Sequence, residues 1–198
     1  MKSSGVTLIA GIDEAGRGAI AGPVYAAAVI LSLDEPAKIA ELGQVDDSKK
    51  KTAKQREELF DLIIENALAY GVGAAPASTI DREGIISANA LAMMDAVSKL
   101  EPQPGYLLID GRMRLKSLSL PQESIIRGDS ISLSIAAASI LAKVSRDRHM
   151  KSLARRYSYY GLDRNKGYCT PEHVAALEKH GPCAEHRHSF APIRLTLL

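Results

Sequence analysis

Short apolar runs cut by glycine and proline open the chain, and longer runs with helical spacing follow. Residues 6–12 and 24–31 are β-branched and alanine-rich, with Gly and Pro between them, which predicts two strands joined by a turn. Thr52 with Gln55 three residues on is a capping-box signal, and Leu59, Ile63 and Leu68 recur on one helical face behind it. A third strand is predicted over 70–75. Ser78 and Asp81 then read as a capping pair ahead of a helix over 85–100. Two compact runs, 106–109 and 125–127, each end beside a glycine and an aspartate. The next helix is long, over 132–157, apolar and small in its first half and basic in its second. Thr170 followed by Pro171 reads as an N-cap with proline at the first helical position, and Gly181 as the stop. Strands first, then strands alternating with helices, predict an α/β domain with a mixed sheet.

Composition narrows the picture only a little. The 198 residues, 46% hydrophobic and 24% charged, suit one globular domain with a sizeable core. A net charge of +2 gives no nucleic-acid signature by itself; the placement of the charges says more. Six Lys/Arg face one acid, Asp147, between Lys143 and Arg156, and Lys49, Lys50, Lys51, Lys54 and Arg56 form a second basic cluster. Such runs are most often solvated helix faces. Two cysteines, Cys169 and Cys183, make neither a disulfide framework nor a CxxC pair. No signal peptide or membrane-length apolar run is visible, so a cytoplasmic protein without a membrane partner is expected.

The stretch IAGIDEAGRGAIAGPV carries the most chemistry. An apolar run stops there at two adjacent carboxylates, Asp13 and Glu14, and glycines surround a single arginine. Two other predicted strands also terminate in acid, at Asp110 and at Asp129. In open α/β sheets ligands gather at strand ends. Carboxylates sharing one small volume need a compensating charge, and an oxygen-only donor set favours a hard cation, Mg²⁺ or Mn²⁺, over zinc. Singly, each aspartate reads as an ordinary cap. For Asp13 and Glu14 together, the alternation of strand side chains predicts that the backbone leaves the strand at this point, which Gly16 and Gly18 permit.

Six blocks in order, GIDEAGRGAIAGPV, DDSKK, LLIDGR, RGDS with SIAAASILAKVSRDRHM, YYGLDRNKGYCTPEH and HGPCAEHRHSF, make the chain similar to the ribonuclease HII (type 2 ribonuclease H) family over almost its whole length. The resemblance implies a ribonuclease H-like fold, a central mixed β-sheet flanked by helices with a C-terminal helical segment from about residue 160 to 198, in a single catalytic domain over 1–198. It implies a metal site made of Asp13, Glu14, Asp110 and Asp129 holding Mg²⁺ or Mn²⁺ in two-metal chemistry. The implied substrates are RNA–DNA hybrids and duplex DNA containing single ribonucleotides, cut on the 5′ side of the ribonucleotide to leave 3′-hydroxyl and 5′-phosphate ends. Gly16, Arg17 and Gly18 resemble the loop whose backbone reads the 2′-hydroxyl, the group that separates RNA from DNA. Tyr168 matches a tyrosine packed on the next deoxyribose, and Lys49 a position near the substrate phosphate. Arg146 and Arg148, in the basic half of the long helix, are expected to track phosphates.

His180, Cys183, His186 and His188 lie at spacings looser than the usual paired zinc ligands, inside a block where the resemblance makes them structural or substrate-facing. Ala19, Gly84 and Cys169 depart from the family pattern without touching the four acids. The competing readings are a ribonuclease HIII-like hybrid nuclease and a catalytically silent nucleic-acid-binding module. The former usually carries an extra N-terminal domain and a glutamate in the place of Asp129; the latter would lack an acid. A monomer is expected. Recruitment by a sliding clamp is left open, because the tail ending in LTLL holds no clamp-binding motif.

Overall fold

The computed structural model describes residues 8–32, 34–45 and 51–196. Five strands form one mixed sheet in the order β3-β2-β1-β4-β5. Strand β1 (Ile9–Ala15) pairs antiparallel with β2 (Val24–Leu31), and β2 antiparallel with β3 (Ala67–Ala75). On its other side β1 runs parallel to β4 (Tyr106–Asp110), and β4 parallel to β5 (Gln122–Ile125). The helices are α1 (Pro36–Glu41), α2 (Ala53–Asn66), α3 (Ala77–Ser98), α4 (Leu133–Arg156), α5 (Leu162–Asn165), α6 (Pro171–His180) and α7 (Ala191–Thr196).

Strand alternation divides the core into two layers. Ala10 and Ile12 of β1, Ala26, Ala28 and Ile30 of β2 and Ile109 of β4 face α3, where Ala88, Ala92, Met93 and Ala96 complete one cluster. The intervening residues, Ala27 and Val29 among them, face the opposite side and pack with Leu59 and Ile63 of α2 and with the first half of α4. That half of α4 is buried all round, from Ile135 to Ala142, which explains why its sequence is alanine-rich rather than amphipathic. Close approach makes Gly11 obligatory: a Cβ there would stand 2.3 Å from the backbone carbon of Ser134. A third cluster, built on Ile20, Met150, Leu153, Tyr160, Leu162, Leu177 and Ile193, docks the C-terminal helices against the far end of α4.

Several predicted elements appear as expected. Thr52 and Gln55 form a reciprocal capping box on α2, Thr170 caps α6 with Pro171 at its start, and Ser132 and Tyr157 bracket α4. Others differ. Leu68 lies on β3 and is exposed, because α2 stops at Asn66. Helix α3 begins at Ala77 after Pro76 and is kinked at Gly84, whose φ is +79°, so that the expected start at residue 85 marks its second half. Asp81 is no cap; its carboxylate accepts hydrogen bonds from the backbone of His188 and Ser189 and the Ser189 hydroxyl, and so holds down the C-terminal segment. Strand β5 lies earlier than the predicted 125–127, because Arg127 adopts a left-handed conformation with φ of 57° that a strand cannot continue through.

Candidate active site

Strand β1 does not end at its two acids. Asp13 and Glu14 remain paired with Ala27 and Ala26 of β2, so the backbone leaves the sheet only after Ala15. The neighbour on the other side stops sooner: pairing between β1 and β4 ends at Ile12 with Ile109, and Asp110 is the last residue of β4. This staggered end opens a crevice while β2 keeps β1 straight. Alternation then sends Asp13 toward α4 and Glu14 toward α3. The Asp13 carboxyl is hydrogen-bonded by Ser139 of α4 and by the Glu14 backbone N–H, at 2.7 Å. Glu14 is hydrogen-bonded by Asn89 of α3 and faces Arg17 at 3.7 Å. Asn89 is fully buried, and its Oδ1 is without a hydrogen-bond partner.

The three acids Asp13, Glu14 and Asp110 line one cavity of about 270 Å³. Burial pushes the Asp13 carboxyl up to about 8, helped by the charges of Glu14 and Asp110 and opposed by the Ser139 hydrogen bond. Burial also raises Glu14, against the Asn89 bond and the Arg17 charge. Asp110 accepts a hydrogen bond from Gly128 N–H at 2.7 Å, which ties the end of β4 to the turn carrying Asp129. Asp129 itself is buried in that 3₁₀ turn and borders a separate hollow with Val45, Leu133 and Ala136. Among the described residues no three His, Cys, Asp or Glu side chains are already drawn together closely enough to hold a metal ion. As a donor set the acids nevertheless fit a hard dication: all are oxygen ligands, and the like charge that raises Asp13 is what such an ion relieves.

Gly16, Arg17 and Gly18 line the same cavity as the three acids. Their conformation is imposed from inside by two fully buried arginines. Arg187 donates to the carbonyls of Gly16, Arg17 and Gly22 at 2.8 to 3.0 Å. Arg146 donates to those of Ala21, Pro23 and Lys166 at 2.9 to 3.1 Å. A trans peptide aims its N–H opposite to its carbonyl, so pinning the Gly16 and Arg17 carbonyls inward turns the N–H groups of Arg17 and Gly18 outward. Gly16 has φ of +87°, and a Cβ on it would stand 1.8 Å from Arg146 Nε, so no other residue fits.

Tyr168 also lines the cavity; it is 39% exposed, with the Arg146 guanidinium 5.5 Å from its ring centre. Lys49 lies outside the described residues, although Arg56, a few positions on, does reach the cavity wall. The two arginines expected to track phosphates do other work. Arg146 is the buried loop anchor, and Arg148 is bonded to Glu57 and covers the Phe60 ring at 4.1 Å. The residues that sequence reasoning missed are Ser139, Lys143, Asn89 and Arg187. Ser139 and Lys143 carried a readable signal, because polar residues four apart in an otherwise apolar helix share one face. Asn89 and Arg187 carried none, since their partners are far away in sequence.

A crevice at the ends of parallel strands, lined by three acids together with outward N–H groups, Lys143, Arg56 and an exposed tyrosine, suits a polyanion brought in beside a hard cation. Fold and site together define a nucleic-acid phosphodiester hydrolase of the ribonuclease H-like class. The family model for ribonuclease HII matches residues 10–193. The ribonuclease HII of Geobacillus thermodenitrificans is 52% identical over 98% of this chain and 73% of its own length. Among solved structures, the ribonuclease H2 of Pyrococcus horikoshii superposes with a TM-score of 0.81 at 25% identity over 96% of both chains. The ribonuclease HII of a PCNA complex from Archaeoglobus fulgidus gives 0.72 at 25% identity over 90% of this chain and 91% of that one. A ribonuclease HIII crystallised with Mn²⁺ shares the fold, with a TM-score of 0.70 at 20% identity over 97% of this chain and 70% of that one. The chain belongs to the ribonuclease HII family, and its activity is that of an endoribonuclease.

Proposed function

We propose that this chain hydrolyses the RNA strand of RNA–DNA hybrids and cuts on the 5′ side of ribonucleotides embedded in duplex DNA, leaving 3′-hydroxyl and 5′-phosphate ends. The observation that carries the reading is the convergence of Asp13, Glu14 and Asp110 with Gly16–Gly18 and Tyr168 around one cavity. Asp13, Glu14, Asp110 and Asp129 are the residues that would hold Mg²⁺ or Mn²⁺. Bound there, such an ion would supply the Lewis acidity that lowers the pKa of water and offsets charge on the leaving 3′-oxygen.

The chain's own residues do the rest. The N–H groups of Arg17 and Gly18, turned outward by Arg187, meet the 2′-hydroxyl, and a hydrogen-bonding site discriminates strongly against a substrate lacking that group. Tyr168 packs on the following deoxyribose. Lys49 and Lys143 supply positive charge for the phosphates, Lys143 from an ion pair with Asp147 at 2.7 Å. Ser139 and Asn89 orient the Asp13 and Glu14 carboxylates from the two faces of the sheet.

We read residues 1–198 as a single catalytic domain whose segment from about 160 contacts substrate, acting as a cytoplasmic monomer. No helix among the described residues is long and apolar enough to cross a membrane. Clamp recruitment draws support from the Archaeoglobus PCNA complex of a similar protein. The HIII-like reading has less behind it, since the HII family model spans the chain and the HIII likeness is one of fold. The deciding assay is cleavage mapping of a duplex with one embedded ribonucleotide against an all-DNA control, in Mg²⁺ and in Mn²⁺. A cut anywhere but the 5′ side of the ribonucleotide, or cutting of the control, overturns the reading.

A further inference from the structure

Two fully buried histidines lie behind Tyr168, in a part of the molecule that the cleavage chemistry does not use. His173 sits in the first turn of α6 and His186 in the segment after that helix. Their Nε2 atoms are 3.0 Å apart. Each ring's other nitrogen is engaged as well: Cys183 N–H donates to His186 Nδ1 at 2.9 Å, and His173 Nδ1 lies 3.0 Å from the Tyr168 carbonyl oxygen.

The partners leave only one arrangement of protons. A backbone N–H can only donate, so His186 Nδ1 is bare and its hydrogen is on Nε2. That hydrogen points at His173 Nε2, which must accept it. His173 therefore carries its own hydrogen on Nδ1 and donates it to the Tyr168 carbonyl, which can only accept. All four ring nitrogens are satisfied with both rings neutral. An extra proton on either ring would set two N–H groups head to head. Burial favours the neutral forms, lowering His173 and holding His186 down at about 4. The Tyr160 ring stands edge-on to His186 at 4.7 Å, and its hydroxyl donates to the Gly181 carbonyl at 2.8 Å, bracing the pair.

The far end of this chain is what gives it a function. Lys166 and Gly167 both have positive φ, and the backbone between α5 and α6 is in neither helix nor strand. Tyr168 N–H donates to the Asn165 carbonyl at 3.0 Å, and the Tyr168 carbonyl accepts from Thr170 N–H at 2.9 Å in addition to facing His173. Tyr168 sits in that connection, with its ring open to the cavity and Arg146 on one side. We propose that His173 and His186 form a neutral relay that fixes the Tyr168 main chain, making both of them positioning residues for the ring that meets substrate. The proposal rests on the reading of Tyr168 as the residue that packs on the deoxyribose after the ribonucleotide.

The test compares kcat/KM on a single embedded ribonucleotide with kcat/KM on a continuous RNA strand, as a ratio, in saturating Mg²⁺. A ratio cancels losses of active protein that a merely structural role would cause. Tyr168→Ala is expected to lower it about tenfold, the scale of losing an aromatic platform. His173→Leu, which removes the side-chain donor to the Tyr168 carbonyl and leaves only the Thr170 N–H, should lower it in the same direction, and Tyr168→Ala with His173→Leu no further than Tyr168→Ala alone. His173→Asn places an amide N–H where Nδ1 stood and should restore the ratio to within about twofold of the parent. A ratio moved by Tyr168→Ala but not by His173→Leu overturns the relay and spares the tyrosine reading; a ratio moved by neither overturns both. Nitrogen-15 spectra of the wild-type imidazoles supply a readout independent of folding in the variants. They should show hydrogen on Nδ1 of His173 and Nε2 of His186, and the opposite tautomers overturn the relay.

Discussion

Replacing Asp13 by asparagine should make the metal-free protein more stable near pH 8 and leave it little changed near pH 5. Asp13 is 6% exposed, and through burial and the charges of Glu14 and Asp110 its carboxyl holds its proton up to about 8 against an ordinary 3.8. Between those values the folded chain binds a proton that the unfolded chain has released. Stability is therefore highest at the acid end and falls as pH rises from about 4 to about 8. At about 1.36 kcal/mol per pH unit, the whole rise corresponds to about 6 kcal/mol. A domain's entire stability is only about 5–15 kcal/mol, and the cavity is open to water that screens the charge, so we expect about 2 kcal/mol to be realised. For a chain of this length that is a rise of roughly 6 °C in Tm for Asp13→Asn near pH 8. Asparagine keeps the shape and still accepts from the Glu14 N–H, so packing is preserved. The assay is thermal unfolding of chelator-treated wild type and variant at several pH values, repeated with Mg²⁺. Added Mg²⁺ should restore the wild type near pH 8 and do little for the variant. A variant that is no more stable than wild type near pH 8, with the same slope against pH, would refute the reasoning.

Three other substitutions probe the remaining parts of the site. Asp110→Asn should abolish cleavage in Mg²⁺ while the Gly128 hydrogen bond keeps the fold and hybrid binding intact; near-wild-type turnover would dismiss Asp110 as a ligand. Lys49→Ala should weaken binding alike for every sequence and flatten the salt dependence by about one unit of slope, with Lys50→Ala doing much less; equal effects in a salt titration would mean diffuse attraction. Gly16→Ala should lose about 3 kcal/mol in urea unfolding, combining a positive-φ penalty with displacement of the buried Arg146 guanidinium. A loss below about 0.5 kcal/mol, the usual scatter of neutral surface changes, would show that the loop is not held as described.

Local information was enough for much of this molecule. The caps at Thr52 and Thr170, the bounds of α4 and the acid at the end of β4 are decided by residues within a few positions of one another, which is why they could be read directly. The six ordered blocks likewise named the family, because they are strings of adjacent residues. What the sequence could not show was set by partners far along the chain. Asp13 and Glu14 stay in β1 because β2 goes on pairing after β4 has stopped, so they approach the crevice from opposite faces rather than from a loop. Leu68 turned outward on a strand, because pairing of β3 with β2 claimed the segment that helical spacing would have extended. Asp81 found hydrogen-bond donors more than a hundred positions away, and a cap and a long-range clasp look alike in the one-dimensional pattern. Arg146 has the same ambiguity. In a basic run it reads as a surface charge, yet the fold closes the loop from Gly16 to Pro23 around it, where unpaired carbonyls need donors and a guanidinium supplies them in a fixed fork. Residue type and spacing determined which chemistry was present; tertiary packing decided which face each group took and which charges were buried, because hydrogen-bond satisfaction is settled only when distant segments meet.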